Sequence, residues 1–178
     1  MRLFIGIFLT EDLKKEVIQI QSKLKKLDLF NGKFAESENL HLTLKFLGEV
    51  DKDKVKDITK SLSEIKGSSF NSKLDQLGIF TPANPKILWI HIGGAEELQK
   101  SIDEKMKEMG FKEEEKFMSH LTIARIKQMN KTLVKKLFEE MRKITMNNEF
   151  KVEKFALIES ILTSQGPEYK IVKEFKLN

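Results

Sequence analysis

Two short stretches of the same pattern constrain this chain more than any other feature. They are His-Leu-Thr-Leu at 41–44, called here the His41 tetrad, and His-Leu-Thr-Ile at 120–123, the His120 tetrad. Each lies inside an apolar run with strand character. Because alternate side chains of a strand point to opposite faces, the His and Thr of a tetrad share one face and the two apolar residues take the other. Such a strand can line a cleft with its polar face while its apolar face is anchored in a core.

The repeated residues are suited to acid–base chemistry at an anion. The chain has three histidines, and two of them, His41 and His120, occupy matching positions in the tetrads. The unperturbed pKa of imidazole lies near neutrality, so one ring can hold a proton while the other lacks one. Hydroxyls of Thr43 and Thr122 could donate hydrogen bonds to an anion between the rings. A Thr between apolar residues is also ordinary strand composition, but repetition of the whole tetrad favours a site acting on a phosphate ester.

The remaining candidates for chemistry are weaker. His91 lies on an apolar strand and has Gly93, not threonine, two positions later, so we assign it a structural or rim role. Trp89 shares its face and is interpreted as core packing. Zinc sites need three or four converging ligands, whereas this chain has no cysteine and its paired histidines have threonine neighbours in place of carboxylates. We therefore predict no metal and no cofactor.

Composition sets the compartment and the class of partner. Hydrophobic residues make up 40% of the chain, which is enough for a core. No apolar run approaches the ~20 residues that a bilayer-spanning helix needs, and there is no export signal, so a cytoplasmic protein with no membrane partner is expected. A net charge of +5 is compatible with a polyanionic partner. It does not establish one, because Lys and Glu alternate along the chain as on solvated helix faces.

The order of predicted elements indicates a duplicated α+β fold. A strand and a helix surround the His–Thr strand in both halves, and the tetrads stand 79 positions apart in a chain of 178 residues. We predict one bilobal domain over 1–178, with antiparallel sheets lining a central cleft and helices packed outside. Strands are predicted at 2–9, 40–47, 70–80, 86–92, 120–126, 149–164 and 169–177, helices at 11–27 after a Thr10 cap, 55–65, 95–109 and 130–143, and loops at 31–32 and 165–167.

The sequence around the tetrads resembles a known family. The matching stretches are Met1-Arg-Leu-Phe-Ile-Gly-Ile-Phe-Leu9, Asn39-Leu-His-Leu-Thr-Leu-Lys-Phe-Leu-Gly-Glu49, His120-Leu-Thr-Ile-Ala-Arg125, and Leu157-Ile-Glu-Ser-Ile-Leu162 followed by Gly166 and Tyr169. The tetrads resemble the paired His-x-Thr-x motifs of the 2H phosphoesterase superfamily. The surrounding sequence is similar to its RNA 2′,3′-cyclic phosphodiesterase branch, historically called 2′-5′ RNA ligases. Ser119 stands where that family often has proline.

The resemblance implies a bilobal 2H phosphoesterase-like fold and a metal-independent hydrolysis of terminal 2′,3′-cyclic phosphates to 2′-phosphates. By analogy, His41 is the proton donor, His120 is the proton acceptor, and Thr43 and Thr122 bind the phosphate oxygens. The expected partner is an RNA or oligonucleotide with a cyclic phosphate end, tRNA fragments included, and the expected state is a monomer. Two alternatives stay open: a 2′-5′ ligase acting on tRNA halves, and a non-catalytic module that binds RNA ends or nucleotides.

Four further residues flank the predicted site. Arg125 follows Thr122 by three residues, so on an ideal strand it points away from the tetrad face, and a surface or interlobe salt bridge is one interpretation. The family often keeps an arginine here, which makes contact with the substrate the other interpretation. Phe8 and Phe46 could stack on a nucleobase, although most of the 13 phenylalanines must be core. Tyr169 matches a recurring tyrosine of the family.

Overall fold

The computed structural model describes residues 1–146, 148–164 and 166–178, which form nine strands, four α-helices and two short 3₁₀ turns. The elements in chain order are β1 (Arg2–Phe8), α1 (Glu11–Lys26), β2 (Phe30–Phe34), β3 (His41–Glu49), α2 (Lys54–Ser63), β4 (Phe70–Phe80), β5 (Ile87–Gly93), α3 (Glu96–Glu108), β6 (His120–Met129), α4 (Val134–Arg142), β7 (Glu149–Val152), β8 (Lys154–Thr163) and β9 (Gly166–Lys176).

The strands form a continuous antiparallel sheet that is symmetric about its middle. Its order is β7-β4-β5-β6-β3-β1-β8-β9, with β2 paired to β6 beside this path. The two tetrad strands, β3 and β6, meet at the centre through the pair Leu42 and Leu121. The halves on either side, β3-β1-β8-β9 and β6-β5-β4-β7, correspond strand for strand. The α+β class, the antiparallel pairing and the pseudo-symmetric halves predicted from the sequence are confirmed, although the halves share one sheet.

The helices interlock the two halves. Helix α1 follows β1 but contacts β6 of the other half, and α3 follows β5 but contacts β3. Helices α2 and α4 contact β9 and β4 respectively. Each helix has an apolar stripe at helical spacing, such as Val17 on α1 and Ile102 on α3, and both of these side chains are fully buried. This crossing fixes β3 and β6 side by side, since each is covered by a helix that begins in the opposite half. None of the helices within the described ranges is long and apolar enough to cross a bilayer.

Several details of the elements differ from the sequence prediction. The predicted loop at Asn31-Gly32 is part of strand β2, where a Cβ on Gly32 would lie 2.4 Å from the Arg125 carbonyl oxygen, so glycine permits the close approach to β6. Thr10 occupies the position before α1, but its side chain makes no capping hydrogen bond. The run 149–164 is divided into β7 and β8, and β9 already begins at Gly166. Gln165, in the predicted loop, lies outside the described residues.

A buried ion pair ties the first tetrad strand to the segment that leads into the second. Lys45 on β3 is 3% exposed and pairs with Asp103 on α3. Its ammonium also donates a hydrogen bond to the Lys112 carbonyl at 2.7 Å. The Asp103 carboxylate accepts the backbone N–H of Glu114, with its two oxygens at 3.1 and 3.2 Å. The pair therefore holds both β3 and the chain that precedes β6.

Removing one member of this ion pair should destabilise the fold, because the other member stays buried without its partner. Asp103→Ala leaves the Lys45 ammonium buried without a countercharge and the Glu114 N–H without an acceptor, so we expect the free energy of unfolding to fall by about 3–5 kcal/mol. Glu104→Ala on the same helix is the control, because the exposed Glu104 meets Lys100 at 4.0 Å and such pairs contribute about 0–1 kcal/mol. Urea denaturation measures both. Equal losses in the two variants would contradict this role for Asp103.

Candidate active site

The junction of β3 and β6 brings both tetrads onto one face. The strands run antiparallel and pair at Leu42 and Leu121, so His41 stands next to Thr122 and His120 next to Thr43. Each histidine thus has its own threonine along the strand and the other tetrad's threonine across it. Two residues along a strand span about 6.8 Å and neighbouring strands lie about 5 Å apart, which separates the histidine Cα atoms by about 8 Å. That gap accommodates one phosphate group between two imidazoles.

His41 lies in an aromatic pocket on its half of the cleft. Its ring centroid is 4.8 Å from those of Phe4 and Tyr169 and 6.1 Å from that of Phe8. The pKa of His41 is lowered from 6.5 to about 4, chiefly by burial among these rings; the hydrogen bond to the Asn39 carbonyl opposes this shift, and the proximity of His120 and Arg125 adds to it. His41 is therefore neutral at neutral pH.

The two histidine rings are held in the same way. The Nδ1 of His41 is 2.7 Å from the carbonyl oxygen of Asn39, and the Nδ1 of His120 is 2.8 Å from that of Met118. A carbonyl only accepts, so each Nδ1 carries the proton and each Nε2 is left to act as acid or base. The Nε2 of His41 lies 3.1 Å from the Thr43 hydroxyl. In both tetrads a backbone carbonyl two residues earlier sets the tautomer, so the two rings have the same proton position.

A β-bulge changes the direction of Arg125. On β5, Trp89 lies opposite Thr122 but Leu88 lies opposite Ala124, so Ile123 is an extra residue in β6. Both Ile123 and Ala124 are buried, and Arg125 is exposed. A bulge reverses the alternation of faces, and it returns Arg125 to the face of His120 and Thr122. The expectation that Arg125 points away from this face is therefore wrong, because it assumed an ideal strand.

The same bulge occurs in the first tetrad strand. Gly6 lies opposite Thr43 and Ile5 opposite Lys45, so Leu44 is the extra residue of β3. Phe46 consequently returns to the face of His41 and is 67% exposed, with its ring 6.1 Å from that of Phe4. Phe46 is the counterpart of Arg125 in the duplicated fold. The structure thus places an exposed aromatic ring and an exposed guanidinium at equivalent edges of the cleft.

Tyr169 reaches the same space from β9. Its ring meets those of His41 and Phe4, and burial raises the pKa of its hydroxyl, while the positive charges of Arg125 and Arg2 oppose that rise. The end of the β8–β9 hairpin is fastened by the Asn39 side-chain amide, which donates a hydrogen bond at 3.0 Å to the Pro167 carbonyl. Asn39 also holds His41 through its own carbonyl. The position of Tyr169 is therefore coupled to that of the His41 ring.

The third histidine, which sequence analysis placed outside the site, lies beside His120. His91 on β5 stands directly opposite His120, and its Nδ1 is 2.7 Å from Oδ1 of Asp75 on β4. Asp75 is itself the extra residue of a bulge, since Leu74 and Gln76 lie opposite Ile92 and His91. Trp89 is buried as predicted, packed on Phe80 with centroids 5.4 Å apart. Sequence analysis missed the position of His91 beside His120 because that position depends on the strand order, which no spacing in the sequence specifies.

Two other features bear on what the site can bind. Within the described ranges, no three His, Cys, Asp or Glu side chains converge where they could hold a metal ion. A groove of about 1000 Å³ lies between α1 and β2, but its lining contains neither tetrad. The two tetrads therefore lie outside this groove, in the cleft at the β3–β6 junction.

Comparison with known proteins agrees with this geometry. The model of the LigT like Phosphoesterase family matches residues 7–89 and 92–169, so each matched segment contains one tetrad. A protein of Methanocaldococcus jannaschii named RNA 2′,3′-cyclic phosphodiesterase is 37% identical, covering 98% of this chain and 100% of its own. A protein of the same name from Archaeoglobus fulgidus is 36% identical over 99% of this chain and its own full length.

Solved structures share the fold. The crystal structure of TT0787 from Thermus thermophilus superposes with a TM-score of 0.82 at 24% identity, covering 99% of this chain and 98% of its own. The structure of Escherichia coli LigT complexed with 3′-AMP gives a TM-score of 0.79 at 22% identity, with 99% and 97% coverage. At these identities the match supports the architecture.

The lowered pKa of His41 predicts a pH-dependent stability. Between about pH 4 and 6.5 the unfolded chain binds a proton at His41 that the folded chain does not, so acidification through this range destabilises the fold. A shift from 6.5 to about 4 corresponds to about 3 kcal/mol at 1.36 kcal/mol per pH unit.

Urea unfolding of the wild type and of His41→Gln at pH 7.5, 5.5 and 4 measures this effect. We expect the wild type to lose about 2–3 kcal/mol more than the variant across the range, because glutamine does not titrate. Carboxylates titrate alike in both proteins and cancel in the difference. Parallel losses in the two proteins would show that His41 is not buried in its neutral form.

Proposed function

The chain belongs to the LigT like Phosphoesterase family, and from that membership we propose that it is an RNA 2′,3′-cyclic phosphodiesterase, which opens terminal 2′,3′-cyclic phosphates to 2′-phosphates. The observation that carries the proposal is the pairing of β3 with β6, which places two histidines in one cleft, each with Nδ1 bonded to a backbone carbonyl and Nε2 left for acid–base chemistry. The names of relatives 36–37% identical over nearly the whole chain support the same activity.

The proposed reaction needs two proton transfers on opposite sides of one phosphorus. A water oxygen attacks the phosphorus and gives its proton to one histidine, while the bond from phosphorus to the ribose 3′-oxygen breaks and that oxygen takes a proton from the other histidine. The product keeps the 2′-ester bond and gains a 3′-hydroxyl. No metal takes part in this scheme, because the histidines supply both proton transfers.

His41 remains the proposed proton donor and His120 the proposed acceptor, by analogy with the family. The two tautomers are alike, so the geometry does not order the roles. The lowered pKa of His41 opposes its protonation. The donor role therefore requires that His41 gain its proton together with the substrate, whose negative charge favours the imidazolium form.

Thr43 and Thr122 are proposed to hold the non-bridging phosphate oxygens. Both lie on the cleft face, each beside the histidine of the other tetrad. Their hydroxyls would stabilise the charge that develops in the pentacoordinate transition state. Arg125, returned to this face by the bulge, is proposed to contact the substrate from the edge of the cleft. It is free to do so, because it forms no ion pair with any carboxylate in the described part of the chain.

The proposed partner is an RNA or oligonucleotide with a 2′,3′-cyclic phosphate end, tRNA fragments included. The names of the relatives support an RNA substrate, and the net charge of +5 favours association with a polyanion. We further propose a monomer that works in the cytoplasm. The cleft needs no second copy, since one chain supplies both tetrads.

Substitution of either histidine tests the proposed chemistry. His41→Ala and His120→Ala should each lower kcat on adenosine 2′,3′-cyclic phosphate by about 10²–10⁴-fold, because each removes one proton transfer. Thr132→Val, outside the cleft, is a control. Assays contain EDTA, and the product is mapped as the 2′- or 3′-phosphate. Near-wild-type activity of either histidine variant, or abolition of wild-type activity by EDTA, would contradict the mechanism.

The same preparation separates the alternatives. Cleaved tRNA halves are incubated with the wild-type protein and analysed for both opened ends and joined product. Predominant joining would favour a 2′-5′ ligase. Tight binding of a 2′-phosphorylated nucleotide without hydrolysis of any cyclic phosphate would favour a binding module. We expect opened 2′-phosphate ends as the main product, since water is in large excess over the second RNA end.

A further inference from the structure

The two halves of the fold differ at one equivalent position, where one half has a polar residue and the other has an apolar residue. The residue opposite His41 on its outer neighbour strand is Phe8, and the residue opposite His120 on its outer neighbour strand is His91. Phe8 packs with Phe4 on the cleft face, whereas His91 is bonded to Asp75. The His91–Asp75 pair therefore gives the His120 side of the cleft a polar, hydrogen-bonding group that the His41 side lacks at this position.

The His91–Asp75 pair is partly exposed. The side chains of His91 and Asp75 are 30% and 32% exposed. The bulge at Asp75 aims its carboxylate at Nδ1, so Nε2 is directed away from Asp75, and it bonds to no residue that the structure describes. Gly93, two positions after His91, leaves the edge of the pair uncovered: even a Cβ there would come no closer than 3.8 Å to Asp75 Oδ2 and 3.9 Å to His91 Cε1.

A role in relaying protons from His120 is not needed. His120 is itself partly exposed to water, so its proton can exchange with solvent directly. His91 also lies one strand farther from the β3–β6 junction than His120, a displacement of about 4.8 Å. It therefore faces a group that is attached to the substrate but is not the reacting phosphorus.

We propose that His91, held by Asp75, binds the phosphodiester that precedes the terminal cyclic phosphate in an RNA chain, and that this contact makes oligonucleotides better substrates than mononucleotides. When protonated, the ring presents Nε2–H to the phosphate, and the Asp75 carboxylate stabilises its charge from the other side. This subsite rests on the proposed function. It needs a cationic N–H donor, which Phe8 could not provide at the equivalent position.

Three substrates and two variants test the subsite. The substrates are adenosine 2′,3′-cyclic phosphate, the dinucleotide ApA with a 2′,3′-cyclic phosphate end, and that dinucleotide with a neutral methylphosphonate linkage. His91→Phe copies the residue found opposite His41 and keeps a packed ring without an N–H. His91→Lys keeps a cationic donor. Thermal unfolding tests whether each variant is folded. If His91→Phe does not fold, His91→Ala takes its place.

The decisive quantity is the ratio of kcat/KM between the charged and the neutral linkage within each protein. We expect a ratio on the order of 10 for the wild type, in keeping with one charge-assisted hydrogen bond. His91→Phe should bring the ratio close to 1, and His91→Lys should retain most of it. A wild-type ratio in His91→Phe would overturn the proposal. Equal losses on both linkages would assign His91 to the nucleoside, and equal losses on all three substrates would make it a positioning residue for His120; either result overturns the phosphate assignment.

Binding measurements separate failure of this proposal from failure of the proposed function. The corresponding product dinucleotides, each with a 2′-phosphate end, are titrated calorimetrically into the wild type and His91→Phe. The same linkage ratio is expected in Kd, and it is measurable even if no substrate turns over. Hydrolysis of the mononucleotide, together with equal values for the charged and the neutral linkage, would contradict the subsite but not the proposed activity. Absence of hydrolysis, together with a Kd ratio between the two linkages that depends on His91, would contradict the proposed activity but not the subsite.

Discussion

The site depends on one backbone pairing. Leu42 and Leu121 join the two halves of the sheet where β3 meets β6, and both side chains are buried beneath the cleft. Because a strand alternates its faces, burial of this pair turns the flanking histidines and threonines outward. A slip of one residue in either strand would bury a histidine and expose a leucine. The hydrophobic effect that holds the core therefore also sets the positions of the acid–base groups.

The two halves differ where the cleft needs asymmetry. The rings of His41 and His120 have the same carbonyl anchor, yet His41 is enclosed by aromatic rings while His120 meets the edge of Phe80 at 4.9 Å. Matching bulges bring an aromatic ring, Phe46, to one edge and a guanidinium, Arg125, to the other. A symmetric substrate would not require such differences. They suit an RNA end, which has a base on one side of its phosphate and a chain on another.

The shared face of each tetrad and the two related halves could be predicted from the sequence, because the alternation of residues and the repetition of a motif are visible in the sequence itself. The alternation within each tetrad predicted the shared face of His and Thr, and the 79-residue spacing indicated two related halves. The direction of Arg125 was not predicted, since a bulge depends on the partner strand, although the adjacent apolar residues Ile123 and Ala124 break the alternation just before it. The contact of His91 with Asp75 depends on strand order and on a second bulge. Neither is encoded in any single segment.

A structure with a bound nucleoside 2′-phosphate tests the central claim most directly. The account predicts that the phosphate lies above Leu42 and Leu121, with the Nε2 atoms of His41 and His120 each about 3 Å from one of its oxygens. Binding in the groove between α1 and β2, or contact with only one of the two rings, would contradict it.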